Sequence, residues 1–156
     1  MRVHVCAVGR ARPGPERALT DDYVARFDRT GRALGLGPLR IHEVEDRKGG
    51  GAAAEAALLE RAIPKGAGLV ALDERGAVIG SPAFADRLAG WRDDGCSDLA
   101  FVIGGADGLA RELRARADLT LSFGPMVWPH MLARVMLVEQ LYRAASILAG
   151  SPYHRA

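Results

Sequence analysis

Lysine is nearly absent from this 156-residue chain: of 21 basic residues only Lys48 and Lys65 are lysines, and the other 19 are arginines. Acidic and basic side chains almost balance, leaving a formal net charge of +2. That excludes a polybasic protein gripping nucleic acid through bulk charge alone. Coding bias accounts for most of such an arginine excess. The sharper alternative is that some arginines bind phosphate, for which a planar fork is suited. Cysteine is scarce too: Cys6 and Cys96 stand far apart, and no C-x-x-C or Cys/His cluster has zinc spacing. No metal is therefore expected, and both thiols read as small apolar residues in a reducing compartment. No stretch of about 18 apolar residues exists, which excludes a membrane-spanning helix. Met1 to Arg10 lacks the apolar centre of a signal peptide, so the expected location is the cytoplasm, with no membrane partner.

What is present fits an ordinary globular chain, 49% hydrophobic and 26% charged. A domain of this length buries about 68–70% of its unfolded surface and needs no staples. The expectation is one domain spanning residues 1–156. Short apolar runs alternate with helical patterns. Arg2–Val8 reads as a strand and Gly9–Pro15 as a basic loop carrying Arg10 and Arg12. Glu16–Leu34 reads as a helix in which Leu19, Tyr23 and Phe27 recur at helical spacing. Leu39–Val44 is a second strand, and Ala52–Ile63 a helix stopped by Pro64. Leu69–Leu72 is a third strand, expected to close in a turn at Asp73–Gly76. Ser81 reads as an N-cap with Pro82 at the first helical position. Leu99–Ile103 and Leu119–Phe123 are further strands, separated by a helix over Leu109–Ala117. The longest helix runs from Pro129 to about Ala149. This βα rhythm predicts an α/β fold with a parallel sheet.

Ligands of open α/β sheets bind at the carboxyl ends of strands. Three such ends stand out: Leu72-Asp73, the loop Gly104–Gly108, and Ser122–Pro129. The glycine loop lets backbone approach a ligand, but its G-G-x-x-G spacing supports a dinucleotide site only weakly, and a tight turn without a ligand is an equal reading. Phe123, Met126, Val127 and Trp128 are large and apolar, so something must cover them: the chain's own helix, a partner subunit, or a flat ligand. The long helix is apolar nearly all round and is either central or an interface. Arg134 and Arg143 are anomalous on it, and Glu139 and Arg143 stand at i, i+4. The closing Tyr153-His154-Arg155 puts a stacking group, a titratable ring and a phosphate-binding fork in three residues. A frayed terminus is the plain alternative. His4 and His42 lie in strands and read as structural; His130 stands at a helix start, where a cap or pocket role is open.

These residues form one pattern. Phe101-Val-Ile-Gly-Gly-Ala-Asp-Gly108, Leu121-Ser-Phe-Gly-Pro-Met-Val-Trp-Pro-His130, Arg134 through Arg143, and Tyr153-His154-Arg155 together resemble the RlmH family. These are SPOUT-class methyltransferases acting on N3 of a pseudouridine in bacterial 23S ribosomal RNA. The resemblance implies a C-terminal trefoil knot, S-adenosylmethionine as methyl donor, and a homodimer with the long helix at its interface, acting on large-subunit ribosomal RNA. A protein of net charge +2 should bind naked RNA weakly, so an assembled ribosomal particle is the expected substrate. It also implies a donor cleft built from Leu72, Gly104, Gly105 and the segment Phe123, Gly124, Pro125, Met126, Val127, Trp128. Pro125 has no backbone N–H to offer a ligand. The expected catalytic group is His154 with Tyr153, Arg143 and Glu139. His154 accepts the N3 proton or orients the base, Tyr153 stacks or bonds the uracil edge, and Glu139 orients Arg143. Arg155, Arg10 and Arg12 are the expected RNA contacts. A non-catalytic ribosome- or RNA-binding module of the same fold, and an unrelated nucleotide binder, are the competing readings.

Overall fold

The computed structural model describes residues 1–155. Its strands are β1 (Arg2–Val8), β2 (Leu39–Val44), β3 (Gly68–Ala77), β4 (Asp98–Ile103) and β5 (Leu119–Leu121). Its helices are α1 (Pro15–Gly31), α2 (Gly51–Ala62), α3 (Ser81–Asp93), α4 (Arg111–Ala115) and α5 (His130–Leu148). The strands form one parallel sheet in the order β2-β1-β4-β3-β5. β1 and β4 are the central strands, and the apolar side chains of both are buried. Continuous apolar strands are what a sheet covered on both faces requires.

Two cores separate along the alternation of the strands. Val3, Val5, Phe27, Phe101, Leu137 and Leu141 pack on the face covered by α1, α3 and α5. Cys6, Leu59, Ala71, Val102 and Leu113 pack on the face covered by α2 and α4. Burial without a charged partner pushes the Cys6 thiol up to about 12, so it is an inert core residue. The apolar circumference of α5 is used mostly within the chain: Leu137, Val138, Leu141, Ala144 and Ala145 are fully buried. The helix is central.

Several local expectations are corrected. Asp73–Gly76 does not end the third strand. Asp73 does form a local turn, its Oδ1 accepting the Arg75 N–H at 2.9 Å. The chain then rejoins the ladder, so Leu72 and Ala77 both pair with Leu121 and the residues between bulge outward. Gly76 permits this, because a β-carbon there would stand 2.6 Å from the backbone carbonyl of Thr120. Ser81 is the first helical residue rather than the cap; its hydroxyl donates to Gln140 Oε1 at 2.7 Å and ties α3 to α5. The fourth helix is a single turn, Arg111–Ala115, and β5 stops at Leu121 rather than Phe123.

His4 is buried between two polar partners. Its Nε2 lies 2.8 Å from Asp98 Oδ1 and its Nδ1 3.0 Å from His42 Nε2. Arg2 closes the chain with two bonds to the Asp98 carboxylate. This stitches the starts of β1 and β4 together and matches the structural reading of both histidines.

Candidate active site

Parallel registry brings three strand ends into one row. Leu72 pairs with Ile103 on one side and with Leu121 on the other. Beyond this row lies a cleft of about 650 Å³, floored by these three side chains. One wall is the loop Gly104–Gly108. Gly108 N–H donates to the Gly105 carbonyl at 3.0 Å, and a β-carbon on Gly104 would meet the Gly108 carbonyl carbon at 2.5 Å. Glycine there is a steric requirement of the turn. The opposite wall is the segment after β5. The buried Ser122 hydroxyl accepts the Gly124 N–H at 3.1 Å and donates to the Glu74 carbonyl at 3.2 Å, while Gly124 adopts φ +103°. These bonds swing the following residues over the cleft.

Met126 and Val127 are 69% and 82% exposed, and Trp128 is 38% exposed. The chain's own helix therefore does not cover this apolar segment. Leu72, Gly104, Gly105, Phe123, Gly124, Met126, Val127 and Trp128 all line the cleft. Pro125 is exposed beside it and is not a lining residue. Asp73, Asp107 and His130 also line it and were not singled out as ligands from the sequence. All three carry a sequence signal: Asp73 and Asp107 lie in two of the strand ends marked by the α/β rule, and His130 follows the apolar segment and Pro129.

Glu55 went unnoticed because it sits inside an Ala/Leu helical run. It reaches under the glycine loop, where a β-carbon on Gly105 would stand 3.0 Å from Glu55 Oε1. Burial raises its carboxyl above the usual range, reinforced by Asp107 and Asp46 and opposed by the Gly105 N–H and by His130. Its Oε2 and the Nε of Arg134 are, among the described residues, the buried side-chain polar atoms without a hydrogen-bond partner.

The second group of expected residues assembles on α5. Glu139 Oε1 accepts three bonds: from Arg143 Nη2 at 2.6 Å, Arg143 Nε at 3.0 Å and the Tyr153 hydroxyl at 2.9 Å. The Tyr153 ring lies 4.6 Å from that of Tyr142, and the Arg143 guanidinium stands 4.8 Å over it. Burial, with Tyr23 and Glu139, pushes the Tyr153 phenol well above its ordinary range, so it acts as a donor rather than as a phenolate. Arg143 Nη1 lies 3.4 Å from His154 Nδ1. A guanidinium only donates, so Nδ1 accepts and the ring proton falls to Nε2. The terminal segment is thus docked, not frayed. Arg155, Arg10 and Arg12 are exposed, and Arg10 is within 3.4 Å of Glu45.

One chain does not bring these two groups together. Glu139 is nine residues past His130, about 13 Å along the helix. It faces a second cleft of about 460 Å³ that shares Leu121 and Phe123 with the first.

A doubly covered parallel sheet, with glycine and apolar loops framing a cleft at its carboxyl edge, defines an α/β protein of the class whose ligand sites lie at strand ends. A family model described as "Predicted SPOUT methyltransferase" matches residues 1–154. The chain belongs to the SPOUT methyltransferase family and is a methyltransferase. It is 71% identical over 155 residues to "Ribosomal RNA large subunit methyltransferase H" of Dinoroseobacter shibae, with 99% of each chain covered. It is 70% identical, at the same coverage, to the protein of that name from Ruegeria pomeroyi. Among solved structures, a probable methyltransferase from Bordetella pertussis aligns at TM-score 0.55 and 15% identity, covering 92% of this chain and 96% of that one. A probable methylase family protein from Haemophilus influenzae aligns at TM-score 0.51 and 12% identity, covering 99% and 70%. These two are likenesses of fold.

Proposed function

We propose that this chain methylates N3 of a pseudouridine in bacterial 23S ribosomal RNA, using S-adenosylmethionine, in the cytoplasm and on the assembled ribosome. The observation that carries the reading is the coexistence of the strand-end cleft with the docked Glu139–Arg143–Tyr153–His154 cluster. The cleft volume suits a cofactor of this size, which falls within the usual 300–1,000 Å³. Its chemistry suits it too: apolar Leu72, Met126 and Trp128 for a purine, and glycine backbone for polar groups. Bound there, S-adenosylmethionine supplies an electrophilic methyl group. Leu72, Gly104, Gly105 and the stretch Phe123–Trp128 would hold it, Pro125 contributing stiffness rather than a bond.

The chain's remaining work is to align a nucleophile and manage one proton. Pseudouridine N3 is an imide nitrogen and must lose its proton to attack. Arg143, held by Glu139, stands beside His154 and favours an anionic ring by its charge. His154 either takes up the N3 proton at Nδ1, once Arg143 turns to the substrate, or orients the base by donating from Nε2–H to one of its carbonyls. Tyr153 donates or stacks at the uracil edge, and Arg155, Arg10 and Arg12 hold phosphates. The roughly 13 Å along α5 between cluster and cleft favours a homodimer in which one copy's tail completes the other's site. A trefoil knot at the C-terminal end of one domain over residues 1–156 belongs to the same reading.

The decisive experiment maps the methylated nucleotide by mass spectrometry after incubation with ribosomes lacking the modification. Calorimetry with S-adenosylmethionine separates this reading from an unrelated nucleotide binder, and methyl transfer separates it from a binding module. His154→Ala and Tyr153→Phe slow single-turnover methylation by at least 100-fold with RNA binding retained. Near-wild-type rates refute the role of the tail.

A further inference from the structure

Arg134 is the most deeply buried charged residue of α5, 2% exposed. The chemistry above does not use it. Its guanidinium leaves the helix one turn after the cleft segment and reaches the ends of two strands. Nη1 donates to Glu43 Oε2 at 2.7 Å. Nη2 donates to the Gly9 carbonyl at 2.9 Å and lies 3.5 Å from that of Val8. The same Glu43 Oε2 accepts the backbone N–H of Ala11 at 2.5 Å. Burial alone would raise the Glu43 carboxyl, yet the Ala11 amide and Arg134 outweigh it and hold it below the usual range. Gly9, at φ +92°, presses against the first turn of α5: a β-carbon there would meet Met131 Cε at 3.3 Å and His130 Nε2 at 3.5 Å.

The consequence is a rigid link. One side chain fixes the base of the loop Gly9–Gly14 to the helix turn that follows the Phe123–Trp128 wall. A rigid planar fork serves acceptors on two segments at once, Glu43 and the Val8–Gly9 backbone; a compact ammonium on a flexible stem does not span them. The loop base is also held by the Gly9 N–H, which donates to the Val44 carbonyl at 2.8 Å. The side chains of Arg10 and Arg12 are exposed, and among the described residues their ion pairing is the surface contact of Arg10 with Glu45. A buried ion pair that merely held α5 to the sheet would not need to engage the backbone of this particular loop.

We propose that Arg134 is a positioning residue that sets where Arg10 and Arg12 stand relative to the cleft, and so governs RNA docking rather than donor binding. This rests on the reading of the chain as an rRNA methyltransferase.

Two variants test it on the full-length protein. Arg134→Lys keeps the charge and loses the fork, while Glu43→Gln weakens the anchor and leaves the bonds to the Val8–Gly9 backbone. The Arg10–Ala11 bond is a trypsin site whose amide is the one held by Glu43. Tryptic cleavage there accelerates at least 10-fold in Arg134→Lys and less in Glu43→Gln, with no RNA present. With ribosomes as substrate, Arg134→Lys raises KM about 10-fold and leaves kcat and the calorimetric affinity for S-adenosylmethionine within 3-fold. In a double-mutant cycle, Arg10→Ala with Arg12→Ala raises KM in the wild-type background and has little further effect in Arg134→Lys. Unchanged cleavage, additive effects in the cycle, or donor affinity falling in step with KM each overturn the proposal. A wild-type protein that transfers no methyl to ribosomes refutes the functional reading instead, and the cleavage rates still decide whether Arg134 positions the loop.

Discussion

Removing the Glu139 carboxylate should undock the terminal segment while leaving the fold intact. Glu139 Oε1 is the shared acceptor of Tyr153 and both Arg143 donors. A hydrogen bond to a charged group contributes about 1.5–3 kcal/mol net. The Glu139–Arg143 pair is partly exposed, at 17% and 25% of the side chains, and an i, i+4 pair adds only about 0.3–0.5 kcal/mol. Glu139→Ala therefore costs the docked tail roughly 2 kcal/mol, about a 30-fold shift toward the undocked state. Glu139→Gln keeps a neutral acceptor for the Tyr153 hydroxyl and loses about 1 kcal/mol, roughly 5-fold. The core of α5 is untouched, since Leu137 and Leu141 are fully buried elsewhere on the helix. At about 2–4 °C per kcal/mol for a chain of this size, the melting temperature falls by less than about 8 °C. Amide exchange of Tyr153 and His154 measures the undocking directly, and single-turnover methylation measures its consequence. The expected order for both is wild type, Gln, Ala. Tail exchange unchanged in Glu139→Ala would refute the claim that this carboxylate holds the segment. Faster exchange with full methylation would refute the claim that docking matters.

Gly104→Ala places a β-carbon 2.5 Å from the Gly108 carbonyl carbon, backbone against backbone. Calorimetry should show S-adenosylmethionine affinity reduced more than about 30-fold, equivalent to ~2 kcal/mol; normal affinity means the loop is not part of the donor site. Trp128→Ala removes a 38% exposed ring that the fold does not need. Its melting temperature stays within about 2 °C, while donor affinity drops about 10-fold, equivalent to ~1.4 kcal/mol; a large thermal loss with normal affinity contradicts this. Acid sensitivity should come in two steps. Burial, then His4 and Arg40, lowers His42. The Arg2 bonds lower Asp98 against the opposing effect of burial. Both groups hold protons less tightly when folded, so each contributes stability that is present above its unfolded value and lost on acidification, below about pH 6.5 and pH 3.9 respectively. A thermal scan from pH 7 to pH 3 shows both falls, and His42→Gln removes the upper one; a melting temperature that rises from pH 7 to pH 5 refutes the assignment.

The sequence alone determined the alternation of elements and the sheet type. Apolar runs such as Leu99–Ile103 have the composition of strands covered on both faces, and the glycine and proline positions punctuate them. It also determined which segments frame the cleft, because strand ends, glycine backbone and an uncovered apolar loop are local signals. Its errors were local as well. Asp73–Gly76 has turn chemistry and does turn, but only β5 alongside reveals that the strand continues. Ser81 has cap chemistry, but Gln140 across the helix interface claims its hydroxyl.

Only tertiary structure decided what the charged groups do. Glu55 looks like an ordinary helix residue in the chain, and Arg134, though anomalous on so apolar a helix, has no partner the sequence can name. Folding places one under the glycine loop and the other across the ends of β1 and β2. Arg134 and Arg143 share one helix and one residue type, yet one is 2% exposed and locked to backbone carbonyls while the other stands over Tyr153 beside His154. The physical reason is range: backbone propensity and apolar periodicity act over a few residues and are written in order along the chain. Charge–charge and hydrogen-bond partners 91 to 125 positions apart, as for Arg134 with Glu43 and Gly9, are chosen only by packing.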